Sequence, residues 1–568
     1  MPIIESKIRG IENESPLQTI PPTQYVWEID YIVNSAIDGL RKYSLPEVLW
    51  LVDREIGNLE YERRILKNQV ALNRFRIYND LAHFERSSCS WRKPFDAVVY
   101  GLVGEIFDYL GMRSAQLITG KKIMCHRNNV AKLAGYPKRD IFISYGTHYN
   151  IILNREVCNE KKWGEFLNKL LPYFITRQLV TGIGGYVPLK YVPSKFRRKH
   201  GLNGDVLKFV ISPRSLFLHT PISPSTSSPR GIVNVRDEPH ANPNKYWRYH
   251  DINNEAQRCI WQQYVVDCMQ TLVFSAYEKG YIKNVPKIAD WEQIKELSID
   301  TPPRYAGDLD FQACEWKIDV IENGEIKKVD AVEDILIGVY LSSVKDMLTD
   351  EGEVSYMDKV AYSVVKKTLE LLAKRKLDDL FYGLDWITRD ILINEVLNDL
   401  DKVCNRCGTS DCVHNAVGVH QQYGLVDQKV RYYLGETKDE NGIDIFDPNY
   451  SFSIFDPRDS FEFASNNIPG ERWDELFNKV KYGLFYAPED TRDYFASSLL
   501  NNPRIYPHIT HISWGEIWFK NVKILVDEPF MLTKDEIGDL SNVEDVDEIV
   551  RIVKYLYPEN VKLFRGRI

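Results

Sequence analysis

At 568 residues, with 44% apolar and 27% charged side chains, the chain has a globular composition and room for one large domain plus at least one smaller one. A net charge of -8 argues against the broad basic face that nucleic acid demands, so no nucleic-acid partner is expected. No apolar run reaches the roughly 18 residues of a membrane span, and M-P-I-I-E-S-K-I-R-G has no signal-peptide core, which predicts a cytoplasmic protein with no membrane partner.

Ile8 to Ser15 alternates, placing Glu12 and Glu14 on one face of a strand. Two such carboxylates repel unless a cation lies between them, and Mg²⁺ is the usual one; an exposed acidic strand end is the plain alternative. Pro21 to Leu72 reads as helical, with Pro46 in the first turn of a second helix. In Asn73 to Ser88, N-R-F-R-I-Y-N-D-L-A-H-F-E-R-S-S, strand alternation aims Arg76, Tyr78 and Asp80 at one place, with Glu85 following. A cation, a phenol and two carboxylates can hold a metal-bound phosphate and leave one carboxylate as a base, although the same pattern also suits an edge strand with a solvated face. Ala97 to Leu110 is an amphipathic helix closed by Gly111.

Ser144 to Asn150 leads into a strand with His148 near its start, and helical Trp163 to Thr181 runs into Gly182-Ile183-Gly184-Gly185, which lacks the Lys-Ser/Thr of a P-loop. Lys195 to His200 is the densest basic patch and reads as a solvated loop; Pro221 to Pro229 reads as a flexible surface loop. Arg248 and His250 alternate on a strand, ahead of a long buried helix over Ala256 to Glu278. Helices are expected over Ile335 to Met347 and Lys359 to Leu380, with another starting at Asp385. Cys404, Cys407, Cys412 and His414 offer three sulfurs and one nitrogen to a structural zinc, reduced free thiols being the alternative. The other six cysteines have no regular spacing, so no disulfide framework is expected. Beyond Val417 the texture changes to short strands, with Asp427 to Leu434, Tyr506 to Trp518 and Val522 to Val526 as candidates; Trp514 is a core residue or a base-stacking one.

These segments, in order, resemble the family of the Pup ligase and the depupylase, enzymes that attach and remove prokaryotic ubiquitin-like protein. Gly10 to Glu14 resembles its G-I-E-T-E start, and Asn73 to Ser87 aligns without a gap on N-G-A-R-L-Y-V-D-H-A-H-P-E-Y-S. Asn128-Asn129, Ser144 to Asn150, Phe174 to Gln178, Ile211 to Arg214, Trp247 to His250, Asp385 to Arg389 and Gln422 to Leu425 match further blocks. Asn234 to Asn242 resembles N-T-R-D-E-P-H-A-D, the most specific stretch, while Glu489 to Phe495 resembles E-D-T-R-A-Y-F and Ser513 to Glu516 resembles S-W-D-S. The resemblance implies an α+β, glutamine-synthetase-like fold: a curved antiparallel sheet backed by helices, a catalytic domain over 1–415 and a small C-terminal domain over 416–568. It implies ATP and Mg²⁺ in the concave face, metal positions at Glu12, Tyr78, Glu85, His148 and His250, and a catalytic Asp80. Nucleotide contacts would come from Arg76, Ser88, Arg248 and Trp514, and phosphate contacts from Arg214 and Arg236.

The implied activity is ATP- and Mg²⁺-dependent action on the isopeptide or C-terminal amide of a Pup-like modifier, the partners being that modifier and its conjugates. Asp80 would activate water or attack the carbonyl, kept ionised by Mg²⁺ and Arg76. The alternative is ligation of the modifier's C-terminal glutamate to lysines, with Asp80 deprotonating the amine. An inactive adaptor would show eroded metal and base positions, and these are intact. The Asp80 to Glu85 spacing and the E-D-T-R and S-W blocks look more like a depupylase. Against that, Asn73 follows Ser15 by only 58 positions, short for the loop depupylases carry there. Departures from the family pattern are Arg74 for glycine, Val130 and Ala131 for threonine and aspartate, Tyr149 for glutamate, and Phe495-Ala496-Ser497, which loses an arginine.

Overall fold

The computed structural model describes residues 2–21, 23, 25–40, 68–80, 82–132, 142–202, 207–301, 314–352, 354–398, 420–438, 442–446 and 453–564. Its centre is an open eight-stranded sheet: β1 (Arg9–Ser15), β2 (Asn68–Val70), β3 (Arg76–Asp80), β4 (His83–Ser87), β5 (Thr147–Asn154), β6 (Thr220–Ser223), β7 (Gly231–Asn234) and β8 (Tyr246–Asn254). Their order across the sheet is β6-β7-β8-β5-β1-β4-β3-β2, so the strand nearest the N-terminus lies in the middle. Neighbours pair antiparallel, except that β6 and β7 are parallel. The sheet is therefore mixed at one edge, a correction to the all-antiparallel expectation. The chain returns from Ser223 to Gly231 in a loop whose Ser225 hydroxyl accepts the amides of Ser227 and Ser228.

One face of the sheet is covered by helices, among them α1 (Pro94–Thr119) and α2 (Ile260–Glu278), and α3 (Tyr356–Ala373) packs on α2. Proline at the first turn and Gly120 at φ 68° just past the end bracket α1. The expected stop at Gly111 is wrong because that glycine makes room instead: a Cβ there would sit 2.8 Å from the Phe84 ring. Residues Ile260 to Tyr277 of α2 are buried on every side. The start of α2 is held from far along the chain, since Ser460 Oγ accepts the Ile260 amide at 3.0 Å and Asp385 Oδ2 accepts the Arg258 amide at 2.7 Å. Buried charges in this interior have polar partners. Arg86 of β4 donates two 2.9 Å hydrogen bonds to Asp108 of α1, a bidentate geometry that offsets desolvation.

Several local expectations change. Asn68–Val70 is an edge strand, not helix, and Lys195 to His200 is largely a short helix, Ser194–Lys199, whose lysines pair with Asp290, Glu292 and Glu296. Asp427–Leu434 is a helix: Val430 and Tyr433 are buried at helical spacing, and Gly435 at φ 87° ends it. The six scattered cysteines are buried free thiols. The zinc candidates Cys404, Cys407, Cys412 and His414, and the expected 415/416 boundary, lie outside the described residues. The main core continues through Val430, Ala464, Leu476, Val480 and Ala487. A second core runs from Phe495 to Val553 around a four-stranded sheet, Ile509–Ile512, Glu516–Phe519, Val522–Leu525 and Val561–Leu563, and Val70 reaches into it from β2. No helix among the described residues is long and apolar enough to cross a membrane.

Candidate active site

Pleating puts alternate residues of the central strands on the uncovered face, and the register brings them into rows. Arg76 stands opposite Ser87, Ser87 opposite Glu12, and Glu12 opposite His148. In the next row Tyr78 faces Glu85 and Glu85 faces Glu14, while Asp80 pairs with His83 at the strand end. The ligand atoms of Glu12, His148 and His250 lie within 4.8 Å of one another, and so do those of Glu14, Asp80 and Glu85.

Glu12 anchors the first group. It accepts from Asn150 Nδ2 at 3.3 Å and Arg248 Nη1 at 3.1 Å, and stands 3.1 Å from His148 Nδ1 and 3.4 Å from His250 Nε2. Against burial, which works in the opposite direction, His250, His148 and Arg248 hold its carboxyl well below the usual range. Burial and the Arg248 charge pull His250 down to about 3, leaving a neutral imidazole of the kind that ligates metal.

The second group has the opposite character. Burial, then the charges of Asp80 and Glu14, raise Glu85 well above the carboxylate range. Burial and Glu14 also raise Asp80. The protein's own charges therefore work against ionisation at Asp80, and Arg76, expected to favour it, instead lies over the Trp514 ring with its guanidinium carbon 4.4 Å from the centroid. Glu14 stays ionised although burial opposes it, because His83 and Arg214 face it and the Gly146 amide donates to its Oε2 at 2.5 Å. The three carboxylates of one group are donors suited to a hard cation such as Mg²⁺, whereas the carboxylate and two imidazoles of the other also suit borderline divalent metals.

Arg214 links the two groups, 3.3 Å from His148 Nε2 and 3.9 Å from Glu14 Oε2. Its position requires Gly146, where a Cβ would come within 2.5 Å of the guanidinium carbon. Arg236 is partly exposed and reaches the site only through Glu238, which it meets at 3.6 Å and which also accepts from Arg248 Nη2 at 3.0 Å. Ser88 lies past the end of β4, and its hydroxyl accepts the Ile11 amide at 3.0 Å. Ser87 occupies the row instead, 3.1 Å from the Tyr78 hydroxyl. Tyr149 points away from the site and donates to Asp267 on α2, so the replaced glutamate position lies in the helix-side core. Glu14, expected to share a cation with Glu12, groups instead with Asp80 and Glu85, and the sequence pattern did not single out Asn150 or His240; the last lies 6.2 Å, ring to ring, from Trp514. Strand alternation with His148 was the available signal for Asn150.

The protein is thus an α+β protein with a carboxylate- and imidazole-lined site on the open face of its sheet. The Pup-ligase protein family matches residues 20–414, and the chain belongs to that family. The depupylase of Acidothermus cellulolyticus is 30% identical over 233 residues, 41% of this chain and 40% of that protein. The Pup-protein ligase of Bifidobacterium longum is 30% identical over 226 residues, 39% of this chain and 40% of that protein. The chain thus aligns with about two fifths of the length of these relatives. Among solved structures, the ligase PafA in complex with the prokaryotic ubiquitin-like protein Pup matches with a TM-score of 0.65 at 17% identity, covering 98% of this chain and 94% of that one. PafA in complex with ADP matches with a TM-score of 0.58 at 16% identity, covering 87% and 90%. The overall architecture is accordingly the α+β fold of that ligase, as expected.

Proposed function

We propose that the protein is an ATP- and Mg²⁺-dependent enzyme that hydrolyses the isopeptide or C-terminal amide bond of a Pup-like modifier. The observation that carries this reading is the position of Asp80, a half-buried carboxylate grouped with Glu14 and Glu85 and next to a separate histidine-carboxylate group. Glu12, His148 and His250 would hold one cation and Glu14 and Glu85 another, with Tyr78 orienting Glu85. Bound cations would supply positive charge for phosphate and for a developing oxyanion. Arg76, Arg248 and Trp514 would bind the nucleotide, and Arg214 its phosphate end.

In this reading Asp80 takes the proton from a water directed at the scissile carbonyl. Direct attack by Asp80 on the carbonyl would use the same placement. Arg214 keeps Glu14 charged, so a proton taken by Asp80 is shared within a group that already disfavours full ionisation. The named depupylases among the relatives support this direction. A second reading, ligation of the modifier's C-terminal glutamate to a lysine, is favoured by the short separation of Ser15 and Asn73 and by the named ligases. There Asp80 would deprotonate the amine. Purified protein incubated with ATP, Mg²⁺ and a Pup conjugate decides: release of free modifier without ATP turnover supports hydrolysis. Conjugate formation with ADP release from free modifier supports ligation, and neither activity would sink both readings.

A further inference from the structure

Two departures from the family blocks meet in space. Arg74 stands where N-G-A-R has glycine, and Asp493 stands where E-D-T-R-A-Y-F has alanine. Arg74 keeps the backbone a glycine would favour, with φ at 73°, a conformation that costs an ordinary residue about 1 kcal/mol or more. Its amide donates to Ala71 O at 2.9 Å, closing a tight turn between β2 and β3. From that turn its side chain runs, fully buried, into the second core, the same direction taken by Val70 and Leu72.

There Arg74 holds three things at once. Its Nε lies 3.4 Å from Asp493 Oδ1, its Nη2 donates to the carbonyl of Ser513 at 2.8 Å, and its guanidinium carbon sits 5.3 Å from the Trp514 ring centroid. Asp493 is fixed in turn, its Oδ2 accepting both the amide and the hydroxyl of Ser90 at 2.7 Å. Ser90 belongs to the main unit, and Ser513 precedes the tryptophan that lies over Arg76. The buried carboxylate has three donors and the buried guanidinium a carbonyl acceptor, so the two form an ion pair and not isolated charges.

We infer that Arg74 is a positioning residue for the nucleotide base: through Asp493 and the Ser513 carbonyl it fixes Trp514 over Arg76, so that the second core supplies one wall of the base slot. This rests on the nucleotide-binding reading above. It confines the effect of Arg74 to the base, because the two carboxylate groups and Arg214 are held by other partners. Arg74 and Asp493 act as one unit, each justifying a residue that would otherwise be an unpaired buried charge.

The test measures the affinity of two probes with Mg²⁺, the non-hydrolysable analogue AMP-PNP and base-free tripolyphosphate. Arg74→Lys keeps a charge opposite Asp493 but loses the fork to Ser513, and the double variant Arg74→Gly/Asp493→Asn removes both charges and restores a residue suited to positive φ. Both are expected to bind AMP-PNP at least tenfold more weakly, to bind tripolyphosphate within threefold of the parent, and to approach the AMP-PNP affinity of Trp514→Ala. Equal losses for both probes would show general loosening and overturn the inference. Unchanged AMP-PNP affinity in a double variant that melts cooperatively would do the same. If the parent protein itself fails to bind AMP-PNP, the nucleotide reading falls first, and this inference with it.

Discussion

The Tyr78 hydroxyl donates to Glu85 Oε1 at 2.6 Å from directly across the β3–β4 ladder. That contact gives Glu85 a neutral donor beside the carboxylates of Asp80, Glu14 and Glu12, and burial, Glu85 and Glu12 in turn raise the tyrosine well above its ordinary pKa. The tyrosine thus fixes one oxygen of Glu85 and leaves Oε2 without a hydrogen bond, while Glu12 and its two histidines form a separate group.

Removal of one ligand from either group should weaken metal binding without unfolding the sheet. Glu12→Gln and His250→Ala are expected to lose more than tenfold in Mg²⁺ affinity by calorimetry, and chelation followed by Mg²⁺ addition should abolish and then restore activity. Retention of full affinity in both variants would remove that group from the metal site.

Asp80→Asn should lower turnover by roughly 10²-fold or more, the scale of a lost general base, while AMP-PNP affinity stays within threefold. The asparagine is isosteric, so a parallel loss of nucleotide binding would mean that Asp80 serves as a ligand and not as the base.

Gly146→Ala should act through Arg214. The added Cβ would meet its guanidinium at 2.5 Å, pushing it off His148 and Glu14. Turnover is expected to fall more than tenfold with only a few degrees lost in Tm, and an active variant would show that Arg214 is dispensable there.

A pH effect on stability is expected away from the site, at Asp96 in the first turn of α1. Burial, then the Asp490 carboxylate, push it up to about 7. Its folded pKa lies above the unfolded value, so its contribution is fully present below about pH 4 and is lost as the pH rises through 7. Asp96→Asn should therefore raise Tm relative to the parent at pH 8 and show a much smaller gain at pH 5. A gain of the same size at both would argue against the titration.

Much of the site was legible because strand alternation is strict. Glu12 with Glu14, Arg76 with Tyr78 and Asp80, and Arg248 with His250 each share a face for that reason alone. What alternation could not supply was where a strand stops and what lies across it. Ser88 and Ser87 differ only in that β4 ends between them, and Arg236 looks like a phosphate contact until the chain leaves β7 two residues earlier. Arg74 was illegible for another reason. Its partner lies more than four hundred positions away, and nothing local to either residue announces the other.

The complete burial of α2 has a consequence for synthesis. β1 emerges first yet finds its neighbours only when β4 and β5 exist, and the start of α2 receives hydrogen-bond partners from Asp385 and Ser460. Until some two hundred further residues have left the ribosome, α2 is a helix without its cover. The nascent chain should therefore depend on chaperones for most of its translation, and expression temperature and chaperone supply should govern soluble yield more strongly than substitutions in the second core.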